Sequence, residues 1–156
     1  MASRIRTLAA AVATAINAGG LLPAGITAER VRSVTYLVSG FSTGTPGRVA
    51  VICPGTEDES DRSGVAETIR LLIVLVARCA AEAVASSDAF EDALETLCDS
   101  LRTSAAYKTI SLGGSIAAQR RDVSIVTTCD AQALDEQELF VGAIEASWFV
   151  SVGARQ

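Results

Sequence analysis

From Arg48 to Cys79 the chain sets two apolar runs, RVAVIC and VAETIRLLIVLVARC, on either side of an acidic stretch, PGTEDESDRSG. Continuous apolarity over Val65 to Cys79 suits a buried strand or a buried helix, and Thr68, Ile69, Ile73, Val74 and Val76 favour the strand. The segment therefore predicts a strand pair, Arg48 to Cys53 with Val65 to Cys79, around a polar loop from Thr56 to Gly64. Nothing on that loop performs nucleophilic or acid–base chemistry at neutral pH by itself. It reads as a surface for assembly.

At 156 residues the chain fits a single domain, residues 1–156, large enough to bury about two-thirds of the surface its unfolded form exposes. An apolar fraction of 49%, a mean hydropathy of +0.36 and 20% charged residues leave apolar surface over for partners, so self-association is expected. The longest apolar run, Leu71 to Ala77 between Arg70 and Arg78, is far short of the roughly 20 residues of a membrane helix. Near the N-terminus, Thr7, Thr14 and Asn17 interrupt the apolar pattern and argue against an export signal. Cys53, Cys79, Cys98 and Cys129 form no C-x-x-C pair and there is no histidine, which predicts buried reduced thiols and no metal site.

Charge is unevenly placed. Residues 1–50 carry Arg4, Arg6, Arg30, Arg32 and Arg48 against Glu29, giving +4, and residues 51–156 give −9, together the net −5 of the chain. Such asymmetry favours head-to-tail contact between copies, the kind that closes rings.

Ile5, Leu8, Ala9, Val12, Ala15 and Ile16 recur at helical spacing, with Ser3 able to cap the start and Gly19-Gly20 to stop it, predicting an amphipathic helix over 3–18. LLPAGIT reads as a turn, Val31 to Val38 as a half-buried strand, and GFSTGTPG as a loop. Asp88 and Glu91 with the stripe Phe90, Leu94, Leu97, Cys98 and Leu101 predict a second helix over 88–102. YKTISLGGSIAAQ suggests a short strand, a glycine turn and a connector. Val123 to Cys129 and Leu139 to Val152 read as antiparallel strands around an acidic loop, DAQALDEQE, with Phe140, Ile144, Ala146, Trp148, Val150 and Val152 on one face. The expected fold is α+β: a mostly antiparallel (mixed) sheet of about five strands with two main helices on one face.

Gly40-Phe41-Ser42-Thr43-Gly44 matches the nucleophile-elbow pattern G-x-S-x-G. The elbow requires a helix after the serine and a histidine base, whereas Pro46-Gly47 and a strand follow and the only lysine is Lys108. Ser42 is thus read as a loop residue. Glu57, Asp58, Glu59 and Asp61 lack the alternating carboxylates and central glycine of a calcium loop. No phosphate-binding glycine loop occurs, and Arg120-Arg121 is too small a basic cluster for nucleic acid at a pI of about 4.7. Trp148, on an alternating strand, is read as core.

Taken in order, RIRTLAAAVATAINAG, AERVRSVTYLV, GRVAVICPGTEDESDRSG, ETIRLLIVLVARC, DAFEDALETLCDSLR and the paired C-terminal strands resemble the small neck proteins of tailed bacteriophages. Within that group the chain is most similar to the tail terminator (tail completion) proteins, the matching positions being Arg48 to Pro54 and Phe149 to Val152. The resemblance implies a ring of six copies that caps the tail tube, stops further addition of tube protein and joins the tail to the head-side connector. It implies a virion protein of the neck, assembled in the host cytoplasm, with genomic DNA passing through its lumen without specific binding. Neither catalysis nor a cofactor is expected. In such a ring the charge asymmetry makes Arg4, Arg6, Arg30 and Arg32, and Glu57, Asp58, Glu59 and Asp61, the candidate subunit or ring contacts.

Three other readings compete: a connector or stopper of the same neck, an oligomeric binding module of the bacterial host, and a small carboxylate enzyme. The enzyme would require a pair such as Glu67 and Glu145 to converge in a pocket.

Overall fold

The computed structural model describes residues 3–31, 46–61, 64–80 and 82–152, and of residues 55–61, 64, 65, 151 and 152 it describes the backbone. The strand expected over Val31 to Val38, the Ser42 loop and Arg32 lie outside the described residues, save Val31, Pro46 and Gly47. Ten elements follow in order: α1 (Arg4–Gly19), β1 (Thr27–Arg30), β2 (Gly47–Asp61), β3 (Gly64–Arg78), α2 (Val84–Thr103), α3 (Ala105–Lys108), β4 (Thr109–Gly113), β5 (Ile116–Thr127), α4 (Ala131–Gln137) and β6 (Leu139–Val152). The strands form one sheet in the order β1-β2-β3-β6-β5-β4. All neighbours are antiparallel except β1 and β2, which run parallel. The protein is thus α+β with a mixed sheet of six strands, one more than expected.

Strand β3 lies at the centre because it can be buried on both faces. Ile69, Leu71, Ile73, Leu75 and Ala77 point into the main core, while Val74 and Val76 belong to a smaller apolar cluster with Ala50, Ile52, Leu139 and Ala143. Helices α1 and α2 lie over the main core. From α1 come Leu8, Ala9, Val12, Ala13 and Ile16, and from α2 come Leu94, Leu97, Cys98 and Leu101, all buried. Beneath them β6 contributes Phe140, Ile144, Ala146, Trp148 and Val150, so the expected inward face of that strand is present from Phe140 to Val150, and the side chain of Val152 lies outside the described residues. Each of these large side chains, fully buried, stabilises the fold by about 1.5–3 kcal/mol. Trp148 is a core residue, and its indole N–H donates to the Tyr107 carbonyl at 2.9 Å.

Close approaches set how the layers meet. A Cβ on Gly142 would stand 2.7 Å from Leu94 Cδ2 and 3.0 Å from the Thr128 carbonyl oxygen. Glycine lets α2 lie on β6 there without displacing the Leu94 methyl or crowding the Thr128 carbonyl. Phe90, on the same helix, meets the Phe140 ring at 5.6 Å between centroids.

Several expectations need correction. The Thr56 to Gly64 loop is strand: Thr56 to Asp61 continue β2 and pair with β3 from Ile69 to Gly64. Only residues 62 and 63 separate the paired ends. The polar sequence suggested a loop, but β3 offers a full row of backbone partners, and backbone hydrogen bonds form whatever the side chains are. A β-bulge at Cys53 and Pro54, where two residues of β2 oppose Leu71, absorbs the proline. DAQALDEQE contains α4, whose Asp130 carboxylate accepts from the Ala133 N–H at 3.1 Å as an N-cap. Helix α2 starts at Val84, four residues before the expected Asp88, and β5 starts at Ile116 where a connector was expected. At α1, Ser3 occupies the N-cap position but its hydroxyl makes no cap bond, whereas Gly20 closes the helix in the left-handed conformation at φ 67°.

The turn-prone LLPAGIT leads directly into β1. Asn17, near the end of α1, donates its amide to the Ala28 carbonyl at 2.9 Å and accepts from the Ala28 N–H at 2.7 Å. Its side chain thereby occupies the strand edge opposite β2.

Candidate assembly surface

Charged groups of the sequence are distributed by the fold into those used internally and those left on the surface. Arg4, at the start of α1, reaches the buried Glu67 of β3 with Nη2 and Nε both 2.9 Å from Oε1. It is an intramolecular partner. Arg48 pairs with Glu29 at 2.9 Å, as the parallel register of β1 and β2 requires by placing Arg48 opposite Thr27, two residues away.

The Arg120-Arg121 pair divides across the sheet. Arg120 faces the helices, where Nη1 donates to the carbonyls of Leu101 and Ser104 at 3.0 and 2.9 Å and closes the C-terminal end of α2. Arg121 lies 5.2 Å over the Phe149 ring and donates to Thr68 Oγ1 at 3.2 Å. A bulge between Arg120 and Val123 separates the two directions. Both residues therefore have structural employment.

Arg6 and Arg30 differ. They are exposed and line a groove of about 370 Å³ with Ile5, Ala9, Val31 and Cys53. The groove exists because Asn17 holds β1 against α1, bringing the last residue of β1 beside the first turn of the helix. No sequence signal pairs these two arginines beyond the general excess of positive charge before residue 50.

Glu57, Asp58, Glu59 and Asp61 lie in the second half of β2, opposite Thr68, Glu67, Ala66 and Gly64 of β3. Strand β1 pairs only with Arg48 to Val51. Beyond Val51, the other edge of β2 has no strand partner among the described residues.

A second cleft, of about 700 Å³, lies between the start of α1 and the β4–β5 turn, with Arg4, Glu67 and residues 112–116 in its walls. Gly113 and Gly114 make that turn at φ 108° and 58°.

The carboxylates required by the enzyme reading do not converge. Glu67 belongs to the helix-facing side of β3, whereas Glu145 pairs with Leu72 and Ser124 on the opposite side of the sheet. Cys79 and Cys98 are buried, Cys53 and Cys129 half-buried, and none of the four is in a disulfide. Burial raises the pKa of Cys79, Cys98 and Cys129, the opposite of what an activated nucleophile needs. Among the described residues no group of three or more histidine, cysteine, aspartate or glutamate side chains comes together to hold a metal. No helix among them is long and apolar enough to cross a membrane. No protein-family model matches the chain, and no curated protein matches it.

Proposed function

We propose that this protein is a structural component of a tailed-phage virion, a tail terminator that forms a ring of six at the neck. In this role it caps the finished tail tube and presents its other face to the head-side connector. The supporting observation is β2, a strand of 15 residues of which β1 covers only Arg48 to Val51. A strand edge with no partner among the described residues invites pairing or docking with another chain, and this one is carried by an α+β domain whose sequence resembles the terminator proteins. Termination itself is a difference of affinities. One face of the ring must match the tube subunit, and the other must not. An acidic protein suits a lumen through which duplex DNA slides, because cationic walls would hold the phosphates.

The test combines mass measurement with tube assembly. The protein is expected to form six-membered rings and to stop elongation when added to polymerising tube protein from the same genome. A protein that stays monomeric at every concentration and leaves tube length unchanged would refute the reading.

A further inference from the structure

We infer that copies of this chain contact one another head to tail, the acidic half of β2 in one copy docking against the Arg6–Arg30 groove of the next. The inference rests on the ring reading above and assigns its subunit contact. Nine arginines lie among the described residues, and seven are engaged within the chain: Arg4, Arg48, Arg102, Arg120 and Arg121 as ion pairs, hydrogen bonds or a ring contact, and Arg70 and Arg78 with partners of their own. The two that remain are the two that share a groove. Two cations side by side repel, so a surface that gives them no partner among the described residues is poised for an anionic partner.

The same chain carries a matching anion. Glu57, Asp58, Glu59 and Asp61 fall within five consecutive residues of an extended strand, with no described strand along their outer edge. Arg30 pairs with Val51, and at about 3.3 Å per residue Glu57, opposite Thr68 where Val51 is opposite Ile73, lies about 17 Å further along β2. Ion pairing needs contact within about 4 Å, so Arg30 finds Glu57 and the acidic residues beyond it in a second copy. Donor and acceptor are different surfaces, which makes the contact heterologous, and a heterologous contact repeated with a fixed rotation closes a ring.

Charge reversal tests this. Arg6→Glu with Arg30→Glu makes the groove acidic, and Glu57→Lys with Glu59→Lys and Asp61→Lys makes the strand basic. Each variant, shown by circular dichroism and melting to be folded, is expected to be monomeric where the wild type assembles. An equimolar mixture is expected to restore assemblies with the variants alternating, hence with an even copy number. Wild-type assembly is expected to weaken as ionic strength rises. Where a multiple variant melts early, Arg30→Glu and Glu59→Lys carry the same test singly. Folded variants that assemble like the wild type would overturn this contact and leave the ring reading standing. A wild type that is always monomeric and leaves tube length unchanged would overturn both. Labelled duplex DNA that binds the wild type and is lost with Arg6→Glu/Arg30→Glu, while assembly is unchanged, would reassign the groove to nucleic acid and overturn the inference.

Discussion

Asn17 acts toward Ala28 as a neighbouring strand would, accepting from its N–H at 2.7 Å and donating to its carbonyl at 2.9 Å. One side chain thus finishes an edge strand of four residues that has only β2 on its other side, and it joins α1 to the sheet. Replacing Asn17 by Ala is expected to destabilise the protein by about 1–3 kcal/mol, the cost of leaving the two backbone groups of Ala28 poorly satisfied. Asn17→Asp keeps the acceptor and loses the donor, so it is expected to fall between. Urea unfolding measures the ranking, and hydrogen exchange at the Ala28 amide should speed up in Asn17→Ala.

Glu67 is 8% exposed, and its cation, Arg4, has about a third of its side chain in water. Removing the cation alone strands a buried carboxylate. Arg4→Ala is therefore expected to cost about 1–2 kcal/mol, reduced from a fully buried pair by solvent at the arginine. Glu67→Leu combined with Arg4→Ala should recover most of that loss. A double-mutant cycle in urea would show the coupling, and its absence would mean that the pair is only a surface contact.

Arg120 closes the end of α2 through two carbonyls. Arg120→Ala is expected to cost about 1–2 kcal/mol and to loosen residues 101–104 first, since the freed carbonyls lie in the last turn. Lysine at that position keeps the charge and should recover part of the loss. Arg121→Ala, on the opposite face, gives up contacts with Phe149 and Thr68 and closes no helix end, and is expected to cost less, about 0.5–1 kcal/mol. Melting curves of the three variants, with exchange rates at the end of α2, decide the matter.

Alkaline pH should unfold the protein more readily than its charge alone implies. Desolvation raises the thiols of Cys79, Cys98 and Cys129 above their ordinary value of 9.0 and the Tyr107 phenol above 10.0. A folded state that keeps these protons longer than the unfolded chain does is favoured in full below the unfolded values. That advantage is lost as pH climbs from about 9 through the raised folded values. Urea titrations from about pH 8 to about pH 11 should therefore show falling stability, with a shallower fall in Cys98→Ala than in the wild type. Parallel slopes in the two proteins would assign the alkaline loss to other groups.

Elements with dense periodic signals were legible from the residues. The α1 stripe, the β-branched run of β3 and the alternation of Phe140, Ile144, Ala146 and Trp148 each declare their own period, because a helix or strand buried on one side must repeat its apolar residues. Weak or polar segments were not legible in that way. Strand β1 depends on Asn17, α4 on a cap at Asp130, and the acidic end of β2 on a ladder supplied by β3.

The order of residues alone carries the α+β class, the positions of the strongest elements, the absence of a serine–histidine constellation and the asymmetry of charge. These follow from local periodicity and residue chemistry. Folding in three dimensions settled which charges are free. It spent Arg4 on Glu67 and Arg120 on a helix end, put Glu67 and Glu145 on opposite faces, and brought Arg6 and Arg30 to one groove. Pairings of that kind depend on sheet register and on helix placement across long stretches of chain, and no local pattern encodes them.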